Sequence, residues 1–193
     1  MACGTLTKGR GLDCNRISGG IKNVYFAVYD QVASTTLGTG ADLGSITDID
    51  MGTNSIYKYV MPLGVASLTD TITGSRENGT IFYTPTINII LNRLTKEDQN
   101  QIKLLGATKT IIFAELNATL TSSGNTVIVC LGRVNGMELN TGTMDSGAAF
   151  GDRGGYTLTF DGLENEPFQM VKDYNSTPFD NADSGAQIPI VSV

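Results

Sequence analysis

The 193-residue chain contains no histidine. That absence excludes Ser-His-Asp and Cys-His catalysis, the His-bearing zinc sites and the 2-His-1-carboxylate iron centre. Tryptophan is also absent, and with it the broadest aromatic surface for stacking a ligand. No apolar run approaches the roughly 20 residues needed to cross a bilayer. The opening residues, Met1 to Leu6, lack an apolar stretch of signal-peptide length, so export by that route and contact with a membrane are not expected. Basic residues are scarce: 13 Lys and Arg face 19 Asp and Glu, a net charge of −6, opposite to the footprint of a nucleic-acid grip. Cysteines number three. Cys130 lies in the apolar run Thr126–Leu131 and reads as a small core hydrophobe. Cys3 and Cys14 are either a clip on an N-terminal loop or reduced thiols, and two cysteines without histidine make a poor metal site. Three Asn-x-Ser/Thr sequons, at Asn78, Asn117 and Asn175, read as chance in the absence of a signal peptide.

What is present is β pattern. Glycine numbers 23, and short alternating runs rich in threonine and β-branched residues recur between turn residues. Lys22–Tyr29 reads as the first strand, followed by a Gly, Ser and Thr-rich loop over Ser34–Gly44. Strands are then predicted at Ile46–Met51, Ile56–Met61 and Val65–Thr73, and the longest runs from Thr80 to Asn92. Arg76-Glu77-Asn78-Gly79 supplies an Asn-Gly turn joining the last two as a hairpin. Pro85 within the long strand predicts a bulge or an edge position.

The period then changes. Thr95 is a helix N-cap, with Asp98 three residues on; Ile102 and Leu105 share a face, and Gly106 stops the helix. One helix is therefore predicted, over about 95–106. Strands resume at Thr110–Leu116 and Asn125–Leu131, apolar on both faces as for central strands. Val134–Leu139 predicts a short strand, Thr141–Gly155 a glycine-rich loop, and Tyr156–Phe160 a cleanly alternating strand. Beyond Pro167 the pattern fades. Tyr174–Gly185 is polar, and the chain closes on the apolar run Ile188–Val193, which either docks on a neighbouring sheet edge or folds back on its own domain. The division expected is an N-terminal arm (1–21), a β-sandwich domain (22–168) and a C-terminal arm (169–193).

Charge is distributed unevenly. Lys8, Arg10, Arg16 and Lys22 face Asp13 alone near the N-terminus, whereas residues 151–193 hold Arg153 and Lys172 against seven acids. Ends of opposite sign suit head-to-tail association.

No motif carries chemistry. Gly38-Thr39-Gly40-Ala41-Asp42-Leu43-Gly44 has the wrong spacing for a dinucleotide loop and no helix after it. Gly106–Thr110 lacks the first glycine of a phosphate loop. Asp48 and Asp50, like Asp180 and Asp183, lack a third ligand to hold a cation. Arg10, Arg76, Arg93, Arg133 and Arg153 are scattered, with no aromatic interleaving. No catalytic, cofactor-binding or metal-binding residue is assigned, and the chain reads as a non-enzyme.

Cys3–Arg10 with Cys14, Gly19–Phe26, Leu94–Ile102, Gly132–Glu138, Ala148–Asp152 and Gly155–Gly162, taken together, resemble virion structural proteins of tailed bacteriophages that infect Bacteroidetes-type hosts. The likeness covers about residues 3–168. The layout is similar to tail tube proteins, with a β-sandwich or barrel, one flanking helix, a long loop in the first half and a Tyr-Thr-Leu-Thr-Phe last strand. The resemblance implies self-assembly into hexameric, stacked rings, with loop and arms reaching the next ring. DNA would then be transient, non-specific cargo in an acidic lumen during genome ejection. It also implies a virion protein made in the host bacterial cytoplasm, whose partners are its own copies and other tail or head proteins. A capsid decoration or head–tail connector protein is the alternative within the same particle. A carbohydrate-binding β-sandwich is the alternative outside it, and would need an exposed aromatic platform.

Overall fold

The computed structural model describes residues 9–10, 18–182 and 187–192. The first strand, β1 (Ile21–Val28), is buried on both faces because its β-branched and aromatic side chains alternate between two apolar clusters. It lies between β4 (Ile56–Val60) and β7 (Thr110–Thr119), antiparallel to both. β8 (Thr126–Leu131), β11 (Gln169–Val171), β3 (Ser45–Asp50) and β2 (Ser34–Leu37) extend that sheet on one side. β12 (Ile190–Val191) ends it on the other. Among the strands of the described residues, only β11 with β3 and β12 with β4 pair in parallel.

A second sheet is antiparallel throughout, in the order β5 (Ser67–Ser75), β6 (Thr80–Asn92), β10 (Gly155–Asp161), β9 (Glu138–Asp145). The two sheets pack face to face, and the fold is a mainly β sandwich with one helix. Val24, Phe26, Ile112 and Leu131 of the first sheet meet Ile87, Ile89, Leu158 and Phe160 of the second. On the far face of the first sheet a second core gathers Tyr25, Ile46, Ile56, Phe113 and Cys130. Strands from both ends of the eight-stranded sheet contribute to it, so the sheet curls around this core. Cys130 is fully buried there, with its thiol pushed above the ordinary range by burial.

The helix, α1 (Lys96–Leu105), starts as its sequence dictates. The Thr95 hydroxyl accepts from the Asp98 backbone N–H at 3.0 Å and donates to the Asp98 carboxylate at 2.6 Å. Ile102 and Leu105 pack on the inter-sheet core, which places α1 across one open side of the sandwich. Gly106 ends it in right-handed geometry, φ −71°, so it acts there without using glycine's left-handed freedom.

Four expectations need correction. The Ser34–Gly44 loop contains a strand: β2 pairs with β3 from Ser34↔Asp50 to Leu37↔Ile46, and a 3-10 turn follows at Gly40–Asp42. Of the two outcomes expected at Pro85 the bulge is absent, since it sits in unbroken register opposite Asp70. The edge position holds on one side: β10 pairs with β6 only as far as Thr86, and there Gly162 donates to the Pro85 carbonyl. Residues 141–145, expected in a loop, belong to β9. Glycine at 142 and the exposure of residues 140–145 hid its alternation.

The fourth concerns the C-terminal stretch 169–193, expected as an arm. β11 sits inside the first sheet, between β8 and β3. Phe179, Ala182 and Ile188 are buried in the second core, with Phe179 edge-on to Tyr25 and Phe113, both at 5.2 Å. Its tip folds back, Ile190 and Val191 pairing with Ile56 and Tyr57. Three apolar anchors in a polar stretch leave no periodicity to read, yet they decide its position. Most of the N-terminal arm, including Cys3, Cys14, Lys8 and Arg16, lies outside the described residues, as does Asp183.

Candidate functional site

The second sheet presents the most distinctive surface of the molecule. Alternation puts Leu68, Ile87, Phe160 and Leu139 on its core face, all in one register row. The opposite face is mainly polar, with Ile90 an exception. One row across it reads Ser67, Asn88, Thr159, Thr141, and the next Thr69, Thr86, Asp161, Glu138. A third holds Ile90, Thr157 and Thr143. The middle of the face is thus hydroxyl and amide, tied together by Thr159 donating to the Asn88 side-chain oxygen at 2.6 Å. Acids stand towards its ends: Glu138 and Asp161 at one, Asp145 at the other. The cations nearby are tethered at the margins, Lys109 3.6 Å from Glu138 and Arg153 donating to Thr157 at 3.0 Å.

Both edges of this sheet are open among the described residues, since β5 pairs only with β6 and β9 only with β10. Gly155 shows how closely β10 lies against β6: a Cβ there would meet the Leu91 carbonyl oxygen at 2.1 Å. Past Thr86, β6 loses β10 and keeps β5, with one further bridge from Tyr83 to Glu164. Residues 71–84 therefore stand out as a two-stranded ribbon, closed by the turn at Asn78-Gly79, where Gly79 has φ +64°.

Two buried carboxylates hold the scaffold. Glu115 on β7 accepts from Lys22 (3.0 Å), Asn23 (2.6 Å), Tyr25 (2.8 Å) and Thr126 (2.8 Å). Burial alone would raise its pKa, and these donors outweigh it to hold the carboxyl below the usual range. Burial and the neighbouring Glu115 keep the Tyr25 phenol far above its ordinary range, so it remains a donor. Glu164 accepts from the Val134 (3.2 Å) and Asn135 (2.8 Å) backbone N–H groups, and desolvation raises its pKa despite them. Arg133 pairs with Glu166 at 2.5 Å and reaches Gln169 at 3.2 Å.

The acids weighed from sequence have local structural partners. Asp50 accepts from the Gly52 N–H at 2.9 Å, and Asp48 lies opposite Thr36 in the β2–β3 pair. Asp180 accepts from the backbone N–H groups of Asn175, Ser176 and Thr177, closing a turn. Among the described residues no group of three or more Cys, Asp and Glu is placed to hold a metal. Of the charges expected to pair head to tail, Lys22 is engaged by Glu115, Lys172 lies 3.6 Å from Asp42, and Asp173 accepts from Asn125 at 2.9 Å. A surface hollow of about 690 Å³, of mixed polar and apolar lining, lies near Tyr29, Lys109, Asn135 and Asp161.

Sequence reasoning missed the open sheet edges and the ribbon. The length of β6, 13 residues against seven in β10, was the available signal for an overhang. Comparison with protein families, curated proteins and solved structures finds no match to this chain.

Proposed function

We propose that the chain is the subunit of a self-assembling tube, of the kind that forms the tail tube of tailed bacteriophages. Rings of subunits stack, and DNA passes through the lumen without being held. The observation that carries this reading is the second sheet: four antiparallel strands, core on one face, hydroxyls, amides and acids on the other, and both edge strands unpaired. Exposed edges are templates for pairing with another chain. With four alternating strands, β5 of one copy laid beside β9 of the next continues the antiparallel pattern without a break. Repetition by rotation then closes a ring, and stacking the rings gives a tube.

In such a ring the polar face lines the interior. Hydroxyls and amides keep it wet, and Glu138, Asp145 and Asp161 repel a polyanion rather than grip it. The other members of the assembly are further virion tail or head proteins, and the site of function is the virion.

Negative-stain electron microscopy of the concentrated chain at two salt levels tests the proposal. Hollow tubes or stacked rings are the expected outcome. A chain that stays monomeric at both salt levels would replace the tube with a capsid decoration protein.

A further inference from the structure

The ribbon at the end of β5 and β6 carries an apolar underside. Ile72 and Ile81 project from the same side as Leu68 and Ile87, yet they are 64% and 59% exposed, because the ribbon runs past the core that covers the rest of that face. At the opposite edge of the same sheet, α1 fills the space between β9 and the β1–β4 pair. Its last turn presents Leu104, 59% exposed, above a shallow apolar groove of about 190 Å³ whose walls include Tyr57, Tyr59 and Leu105.

Two relations match these surfaces. They stand at the same end of the strands: Gly106, just after α1, lies against Leu139, next to the Glu138–Thr86 row beyond which the ribbon begins. They also lie on opposite edges of a sheet whose strand order lets β5 of one copy follow β9 of another. Apolar patches of this kind mark association sites when they face a complementary surface.

We infer that the ribbon of one copy docks on the last turn of α1 of a second copy, Ile72 and Ile81 seating beside Leu104 in the groove. The contact is heterologous, ribbon on groove, so each copy has one of each and the contact repeats around a ring. The inference rests on the tube reading and assigns the side-chain contact that accompanies pairing of the sheet edges.

Sedimentation velocity of the full chain and of the Ile81→Asp and Leu104→Asp variants tests it. Both positions are exposed, and thermal melts followed by circular dichroism check that folding is retained. The wild type should assemble at concentrations at least tenfold below those needed by either variant. An equimolar mixture of the two variants should give dimers and nothing larger, since each pair holds one intact ribbon and one intact groove. Recovery of dimers in the mixture also shows that both variants are folded. Assembly of both variants equal to wild type would overturn the ribbon contact and leave the tube standing. Loss of assembly in Ile81→Asp alone would overturn it in favour of a ribbon-on-ribbon contact. A wild type that stays monomeric at every concentration would overturn both the contact and the tube.

Discussion

Glu115 shows how one side chain ties distant segments together. It is 2% exposed and takes donors from β1 and β8, and Thr126, one of them, is shared with the Tyr174 hydroxyl of the C-terminal segment at 2.9 Å. A buried charge is tolerable only with such a complement of partners. Its pKa is depressed in the folded state, so its contribution is fully present above the unfolded value of about 4.3. That contribution is lost as pH falls through the lower folded value. Asp152 and Asp180, whose carboxyls are also held low by backbone N–H groups, act in the same direction from exposed positions. The wild-type melting temperature should therefore fall steeply below about pH 4. Glu115→Gln sets its amide NH2 against an N–H donor, Lys22 on one side or Asn23 on the other, and should cost about 1–3 kcal/mol at pH 7. The variant should also flatten the acid limb of the melting curve. An acid limb as steep as wild type would mean that other carboxylates carry it.

At the level of elements, α1 and the C-terminal segment differ in how far local sequence decides them. Thr95, Asp98 and the Ile102–Leu105 face were legible because capping and helical periodicity are written in neighbouring residues. Thr95→Ala should cost about 1 kcal/mol in denaturant unfolding, and no change would mean that packing alone holds α1. The strands from β3 to β8 were legible as alternating or wholly apolar runs between turn residues, whereas β2, most of β9 and β11 were not, and for β12 the apolar run was legible but not which of its two placements it takes. β11 and β12 are three and two residues long and owe their strand geometry to the sheet they join. The position of residues 172–182 depends on Phe179 meeting Tyr25 and Phe113, contacts with residues more than sixty positions away. Phe179→Ala should cost about 3–5 kcal/mol, measured by the same unfolding experiment. Truncation after residue 174 removes Phe179, Ala182 and Ile188 together and should abolish cooperative unfolding. A truncated chain that melts as wild type would show that the second core closes without them. The open edges of the second sheet were illegible for a further reason: sequence gives strands, and only topology says which of them are left at the edge.

For the whole molecule, the arrangement of polar residues carries more than the net charge of −6. The acids are spread over the chain, but on the second sheet's outer face they stand at the two ends of a middle rich in threonine and asparagine, with Lys109 beside Glu138 and Arg153 held by Thr157 at the margins. If that face lines a lumen, as proposed, its middle rows offer a polyanion no cation to grip. Changing the face without touching the core separates assembly from passage. Thr86, Asn88 and Thr159 lie in the interior two strands, away from both edges and from the ribbon contact. Replacing all three by lysine should leave tubes that look the same in negative stain. Repeated around the ring, the substitutions should convert indifference to DNA into binding that weakens as salt rises, with a log–log slope set by the number of phosphates neutralised. Filter binding of short duplex DNA to assembled tubes, from low to moderate salt, measures this directly. Wild-type tubes should retain none at any salt level. If the lysine tubes also retain none, the polar face does not line the channel, and the side of the sheet that faces inward would have to be reassigned.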